Sequence, residues 1–252
     1  MNPVFIAGGI LFLLAVAVAI GYRIPGDRLN SDTKEIIKLS MGLIGTMAAL
    51  LLGLLVSSAK SSYDTQRTQV IQMAAKSSFL DRILTIYGPE ATDARRRLRA
   101  AMADTVSRLW PEGKNVRAEL GLNVQAGNPV YFAIEALNPR TEVQQKLKAA
   151  AETNVVELAQ QRTLLVAQSD SSISITMLVV VISWVVIIFG GFSLIAPPNR
   201  TAVAALLISA LAISGAIFLM LELDQPFDGL IRIPSREMVN VINQMPPEVP
   251  NK

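Results

Sequence analysis

Four stretches of this 252-residue chain contain no Asp, Glu, Lys or Arg, and their lengths restrict the fold more than any other feature. The gaps run from the N-terminus to Arg23, from Lys38 to Lys60, from Asp170 to Arg200 and from Arg200 to Glu222. A hydrocarbon layer of ~30 Å takes about 20 apolar residues in helical form, and each gap supplies roughly that many. Membrane spans are therefore expected at about 3–21, 39–59, 172–196 and 201–221. A mean hydropathy of +0.42 and a charged fraction of 17% agree, since a soluble domain carries more charge. No basic residue precedes the first stretch, and no small-x-small cleavage site comes before Gly21-Tyr22-Arg23. It therefore reads as a retained span rather than a signal peptide.

Four spans place both termini and the long middle segment on one side of the bilayer. The expected order is spans one and two over 1–59, a helical water-facing domain over 60–171, spans three and four over 172–222, and a tail over 223–252. The fold class is an all-α integral membrane protein in which helices two and three extend out of the membrane. The Ala196-Pro197-Pro198-Asn199-Arg200 turn makes spans three and four a tight antiparallel hairpin. From Lys60 to Tyr87 neither proline nor glycine interrupts, so span two should continue into water until Gly88-Pro89 stops it. A second helix is expected from about Glu90 to Leu109, and a loop over 111–128. Asn128-Pro129 and Asn138-Pro139 each pair a capping residue with a first-turn proline. The last domain helix should run from Pro139 to about Gln168, with Val143, Leu147, Ala151, Leu158 and Leu165 on its packing stripe.

The chain has no cysteine and no histidine. Thiolate and imidazole metal sites, cysteine nucleophiles and Ser-His-Asp triads are excluded. No carboxylate, lysine or serine constellation suggests catalysis, so the chain is not read as an enzyme and no cofactor is called for. A net charge of +3 suits anionic membrane lipid and gives no reason to expect nucleic acid.

Span two has two unlike faces. Gly45, Ala49, Gly53 and Ser57 form an unbroken ladder of small residues, which lets helix backbones approach closely. Leu43, Met47, Leu50 and Leu54 are expected opposite it. They could touch lipid or neighbouring helices, or form an apolar ring that gates a pore by dewetting. No span interior contains an ionisable residue. Proton relays, voltage sensors and coupled transporters usually need one, whereas a channel with an apolar neck does not.

Two charged clusters stand out. Arg95, Arg96, Arg97 and Arg99 could attract anions or lipid head groups, although such a run is more often a solvated or salt-bridged face. Glu222, Asp224 and Asp228 could offer oxygens to a hard cation, but their spacing matches no EF-hand loop, and bonding to helix ends or to Arg232 or Arg236 is the simpler use. Trp110 and Trp184 read as packing or interfacial aromatics.

Several stretches resemble a bacterial family of membrane proteins described as bestrophin-like. They are Ala48-Ala49-Leu50-Leu51-Leu52-Gly53-Leu54-Leu55-Val56-Ser57-Ser58-Ala59-Lys60, Tyr63-Asp64-Thr65-Gln66-Arg67, Tyr87-Gly88-Pro89-Glu90 and Leu221-Glu222-Leu223-Asp224-Gln225-Pro226-Phe227-Asp228-Gly229. The likeness to bestrophins proper is more remote, resting on the order of spans and domain and on Pro226-Phe227 followed by an acid. It implies a homo-oligomeric channel, a pentamer by analogy, conducting anions such as chloride through a pore lined by span two. It also implies a bacterial inner-membrane location with the domain and both termini in the cytoplasm. Charge counting does not decide the orientation: Arg23, Arg28, Lys34, Lys38 and Arg200 balance Lys60, Arg67, Arg162, Arg232 and Arg236. Two departures are plain. Span two has no Phe, the residue type that narrows the pore in many bestrophins, and the long acidic run that binds calcium in eukaryotic members is missing. A non-conducting scaffold whose helical domain binds a partner is the alternative.

Overall fold

The computed structural model describes residues 3–23, 30–111, 128–167, 174–197 and 199–245, and among them every regular element is helical. In chain order these are α1 (Pro3–Arg23), α2 (Ser31–Tyr87), a 3-10 turn (Pro89–Ala91), α3 (Thr92–Leu109), α4 (Asn128–Glu135), α5 (Glu142–Ala167), α6 (Ile175–Ile195), α7 (Arg200–Leu223) and α8 (Arg236–Gln244). Helices α1, α2, α6 and α7 are long and apolar enough to cross a membrane. The expected loop at 111–128 and the junction between α5 and α6 fall almost wholly outside the described residues.

Two compact units divide the chain. The membrane unit comprises Met1–Tyr63, Ser171–Gln225 and Gly229–Ile231. Its core joins Ile10, Leu14 and Val18 of α1 to Val181, Val185 and Phe189 of α6 and to Ala210, Ile217 and Met220 of α7. The tight hairpin expected of spans three and four is not what forms. Among the described residues α1 packs closely against both α6 and α7, which do not pack closely on each other. Gly21 is one reason, because its missing side chain lets the end of α1 lie directly on Ser193 of α6. The Ser214 hydroxyl of α7 ties the other pair, donating to the Ala7 carbonyl of α1 at 2.8 Å. A polar group in an apolar core needs such a partner. Asn199 starts α7 by accepting from the Ala202 amide at 2.7 Å.

The second unit comprises Asp64–Asp170, Pro226–Asp228 and Arg232–Lys252. Helix α2 runs through 57 residues, about 85 Å at the usual rise, and ends where Gly88 takes φ +124°. Asp81 of α2 holds Arg95 of α3 through two hydrogen bonds of 2.7 and 3.1 Å, and Lys76 of α2 meets Glu157 of α5 at 2.7 Å. Lys148 of α5 caps the end of α4, donating to the carbonyls of Glu135 and Leu137.

Helix α5 begins at Glu142, three residues later than Pro139. Thr141 accepts from the Gln144 amide and the Gln144 side chain accepts from the Arg140 amide, a close variant of a capping box. Val143 therefore falls in the first turn and is 63% exposed, while Asn154 and Val155 join Ala151 and Leu165 in the buried stripe. The tail also holds more than expected. Helix α8 is anchored by Arg99, which donates to the carbonyls of Ile242 and Met245 at 2.8 and 2.7 Å. Trp110 secures the approach to it, with its indole N–H on the Ile233 carbonyl at 2.7 Å and its ring edge-on to Phe227.

Candidate functional site

The part of α2 that lies in the membrane unit turns one narrow stripe toward its own chain. Met41, Ala48, Leu55 and Ala59 are buried, and Leu55 and Ala59 join the core of α1, α6 and α7, with Leu51, Leu52 and Val56 beside them. Met41 rests where Gly191 leaves α6 bare. Spacings of seven, seven and four keep these four residues on one line of a helix. That line was readable in the sequence, but the glycine ladder drew attention from it.

Much of the remaining circumference is open among the described residues. Leu43, Met47, Leu50 and Leu54 are 65, 49, 72 and 69% exposed. Ala49, Gly53 and Ser57 are exposed and Gly45 is half-buried, and a Cβ built on Gly45 or Gly53 would meet nothing within 4 Å. The expectation of two opposed faces thus needs correction. At about 100° per residue the ladder drifts around the helix and lies beside the bulky stripe, so both share the arc turned away from α1, α6 and α7.

The arginine cluster is dispersed by its own helix. Arg95 is held by Asp81 in a half-buried pair. Arg96 and Arg97 both reach Asp93, at 4.0 and 2.7 Å, and Arg99 serves the end of α8. Arg95 and Arg99 are thus spent on separate partners, while Arg96 and Arg97 share Asp93 on the exposed side of α3.

The acidic cluster is likewise divided. Glu222 is 1% exposed. Its carboxylate accepts from the Leu230 amide at 2.6 Å and the Ile231 amide at 3.4 Å, closing the turn that follows α7. Among the described residues no three acidic side chains are placed to hold a metal ion. Glu222 is spent on the backbone amides of its own turn. Sequence reasoning missed Glu222 as a backbone clamp, for which Gly229, with φ +87° and no space for a Cβ beside that carboxylate, was the available signal.

A family model described as a bestrophin-like domain matches residues 8–238. Two crystal structures of variants of a bacterial bestrophin homologue from Klebsiella pneumoniae are similar to this chain. One has a TM-score of 0.68 at 13% identity, covering 97% of each chain. The other has a TM-score of 0.66 at 14% identity, covering 97% of this chain and 99% of that one. A crystal structure described as a membrane protein aligns with a TM-score of 0.65 at 14% identity, over 98% of this chain and all of the other. At these identities the likeness is one of fold. No curated protein matches the sequence.

Proposed function

The chain belongs to the bestrophin-like family, and on that premise we propose that it assembles as a homo-oligomeric ion channel, pentameric and anion-conducting, with α2 lining the pore. The observation that carries this reading is the free arc of α2. Four bulky apolar side chains and a ladder of small residues lie side by side on a membrane helix, and among the described residues they are exposed apart from the half-buried Gly45. In a ring of copies, the small residues suit a close-packed neighbour and the bulky ones suit the lumen. Leu43, Met47, Leu50 and Leu54 then form a constriction that excludes water when closed and blocks ions without a charged gate. The absence of ionisable residues within the spans fits such a neck and disfavours coupled transport. Family members that are anion channels supply the ion class. By the same analogy the helical domain and both termini face the cytoplasm of a bacterial inner membrane.

Bilayer recording from purified protein tests the reading. Leu50→Ser adds a hydroxyl from every copy to the constriction and should raise conductance or open probability. Leu211→Ser, at an exposed position of α7, should not. Silence from both wild type and Leu50→Ser after verified reconstitution would favour a scaffold. Its binding surface would include Ile71, Phe79 and Ile86, which are exposed on one side of α2 in the second unit.

A further inference from the structure

The second unit contains a cavity of 830 Å³ between α2, α3 and α5, with Val130 and Tyr131 of α4 and Met238 of α8 completing its wall. That volume suits a small organic molecule. The lining is mainly apolar, with Met73, Leu98, Met102, Val155 and Leu164 as its larger members, and its methionines can adapt to an irregular guest.

Among the polar side chains that interrupt this lining, Ser77 and Arg162 stand apart. Ser77 is 1% exposed and its hydroxyl has no hydrogen-bond partner among the described residues, although buried hydroxyls ordinarily have one. Arg162 lines the cavity from α5 and has no ion pair or hydrogen bond among the described residues. Burial pulls its pKa below the usual guanidinium value, with Asp104 opposing that shift and Arg108 adding to it. It stays charged at neutral pH all the same. Asp104 already bonds Arg108 through both oxygens, at 3.0 and 2.9 Å, so one carboxylate faces two guanidinium groups and a positive charge is left over at the cavity wall.

An apolar chamber with one uncommitted guanidinium calls for a guest with an anionic head and an apolar body. We propose that this cavity binds a free medium-chain carboxylate, with its head on Arg162 and its hydrocarbon among Met73, Met102 and Val155. Ser77 offers a second hydrogen-bonding point, on the α2 wall, for a water that enters with the guest. A guanidinium suits a carboxylate through two parallel hydrogen bonds, and each methylene taken out of water tightens binding about four-fold. The site is independent of ion conduction, so it stands or falls separately from the channel reading.

Equilibrium binding of radiolabelled decanoate to the full chain in nanodiscs, with empty nanodiscs subtracted, tests it. Saturable binding of one decanoate per chain is expected, with decanol about ten-fold weaker or worse. Arg162→Gln should weaken decanoate by about ten-fold or more at an unchanged melting temperature. Ala159→Trp, which fills the mouth from an exposed position, should abolish binding without changing oligomer size. No saturable binding, or decanol binding as tightly as decanoate, would overturn the proposal. So would displacement by short-chain phosphatidic acid at lower concentration than by decanoate itself, which would assign the site to lipid. An Ala159→Trp protein that changes oligomer size yet still binds decanoate would assign the groove to a second copy of the chain.

Discussion

Gly21 of α1 and Ser193 of α6 meet with no space for a side-chain carbon between them, since a Cβ on Gly21 would overlap the Ser193 hydroxyl. That hydroxyl is itself held, donating to the Gly190 carbonyl at 2.8 Å. Gly21→Ala should therefore force α1 and α6 apart at a cost of about 1–3 kcal/mol. Gly9→Ala, with nothing within 4 Å of the new carbon, should leave stability unchanged or raise it slightly. Thermal unfolding followed by circular dichroism in detergent separates the two. Equal melting temperatures would mean that α1 and α6 do not meet so closely at Gly21.

Gly53 presents the reverse situation. Its neighbourhood within one chain is open, so Gly53→Leu should leave the isolated protomer as stable as before. In a close-packed ring the same side chain would separate neighbouring backbones. Size-exclusion chromatography with light scattering should show smaller particles for Gly53→Leu than for wild type. An unchanged mass would place the ladder against lipid or an open lumen.

Neighbouring arginines on α3 should differ in weight. Arg95 and Asp81 have side chains only 21 and 15% exposed, so Arg95→Ala leaves a half-buried carboxylate without its two hydrogen bonds and should cost about 1–3 kcal/mol. The Arg97–Asp93 pair is about half exposed, and solvent screening should keep Arg97→Ala within about 0.5 kcal/mol of wild type. Chemical denaturation of both variants under one set of conditions checks the ranking.

The turn after α7 makes a paired prediction. Glu222→Ala removes the acceptor for the Leu230 and Ile231 amides and should cost about 1–3 kcal/mol. Glu222→Gln keeps one acceptor oxygen and should lie between that variant and wild type. Gly229→Ala strains a left-handed backbone and crowds the same carboxylate. It should expose the segment that follows to limited proteolysis. Wild-type cleavage rates in Gly229→Ala would show that the clamp does not hold the turn.

The helices were legible because their signals are one-dimensional. Charge-free lengths located α1, α6 and α7 to within a few residues, and the proline-free run from Lys60 located the end of α2 at Tyr87. Partners were not legible. Nothing in the short turn at 196–200 says that α1 packs on both α6 and α7, because that depends on which glycine and serine meet across 172 residues of chain, as Gly21 and Ser193 do. Helix α8 escaped notice for its length, nine residues held largely by Arg99 and its surroundings. For the candidate pore, the sequence named the residues of α2 that lie free but misjudged their arrangement. The buried stripe of Met41, Ala48, Leu55 and Ala59 uses small and large residues alike, so side-chain size alone did not mark it.

The chain has only two tryptophans, and Trp110 joins α3 to the segment between α7 and α8 through Ile233 and Phe227. An indole in that setting is a built-in optical reporter. With Trp184 replaced by phenylalanine, all remaining indole emission comes from one ring whose N–H bond and aromatic neighbour both vanish if the segment peels away. A red shift in that emission would time the detachment directly, in the intact protein and without an attached dye.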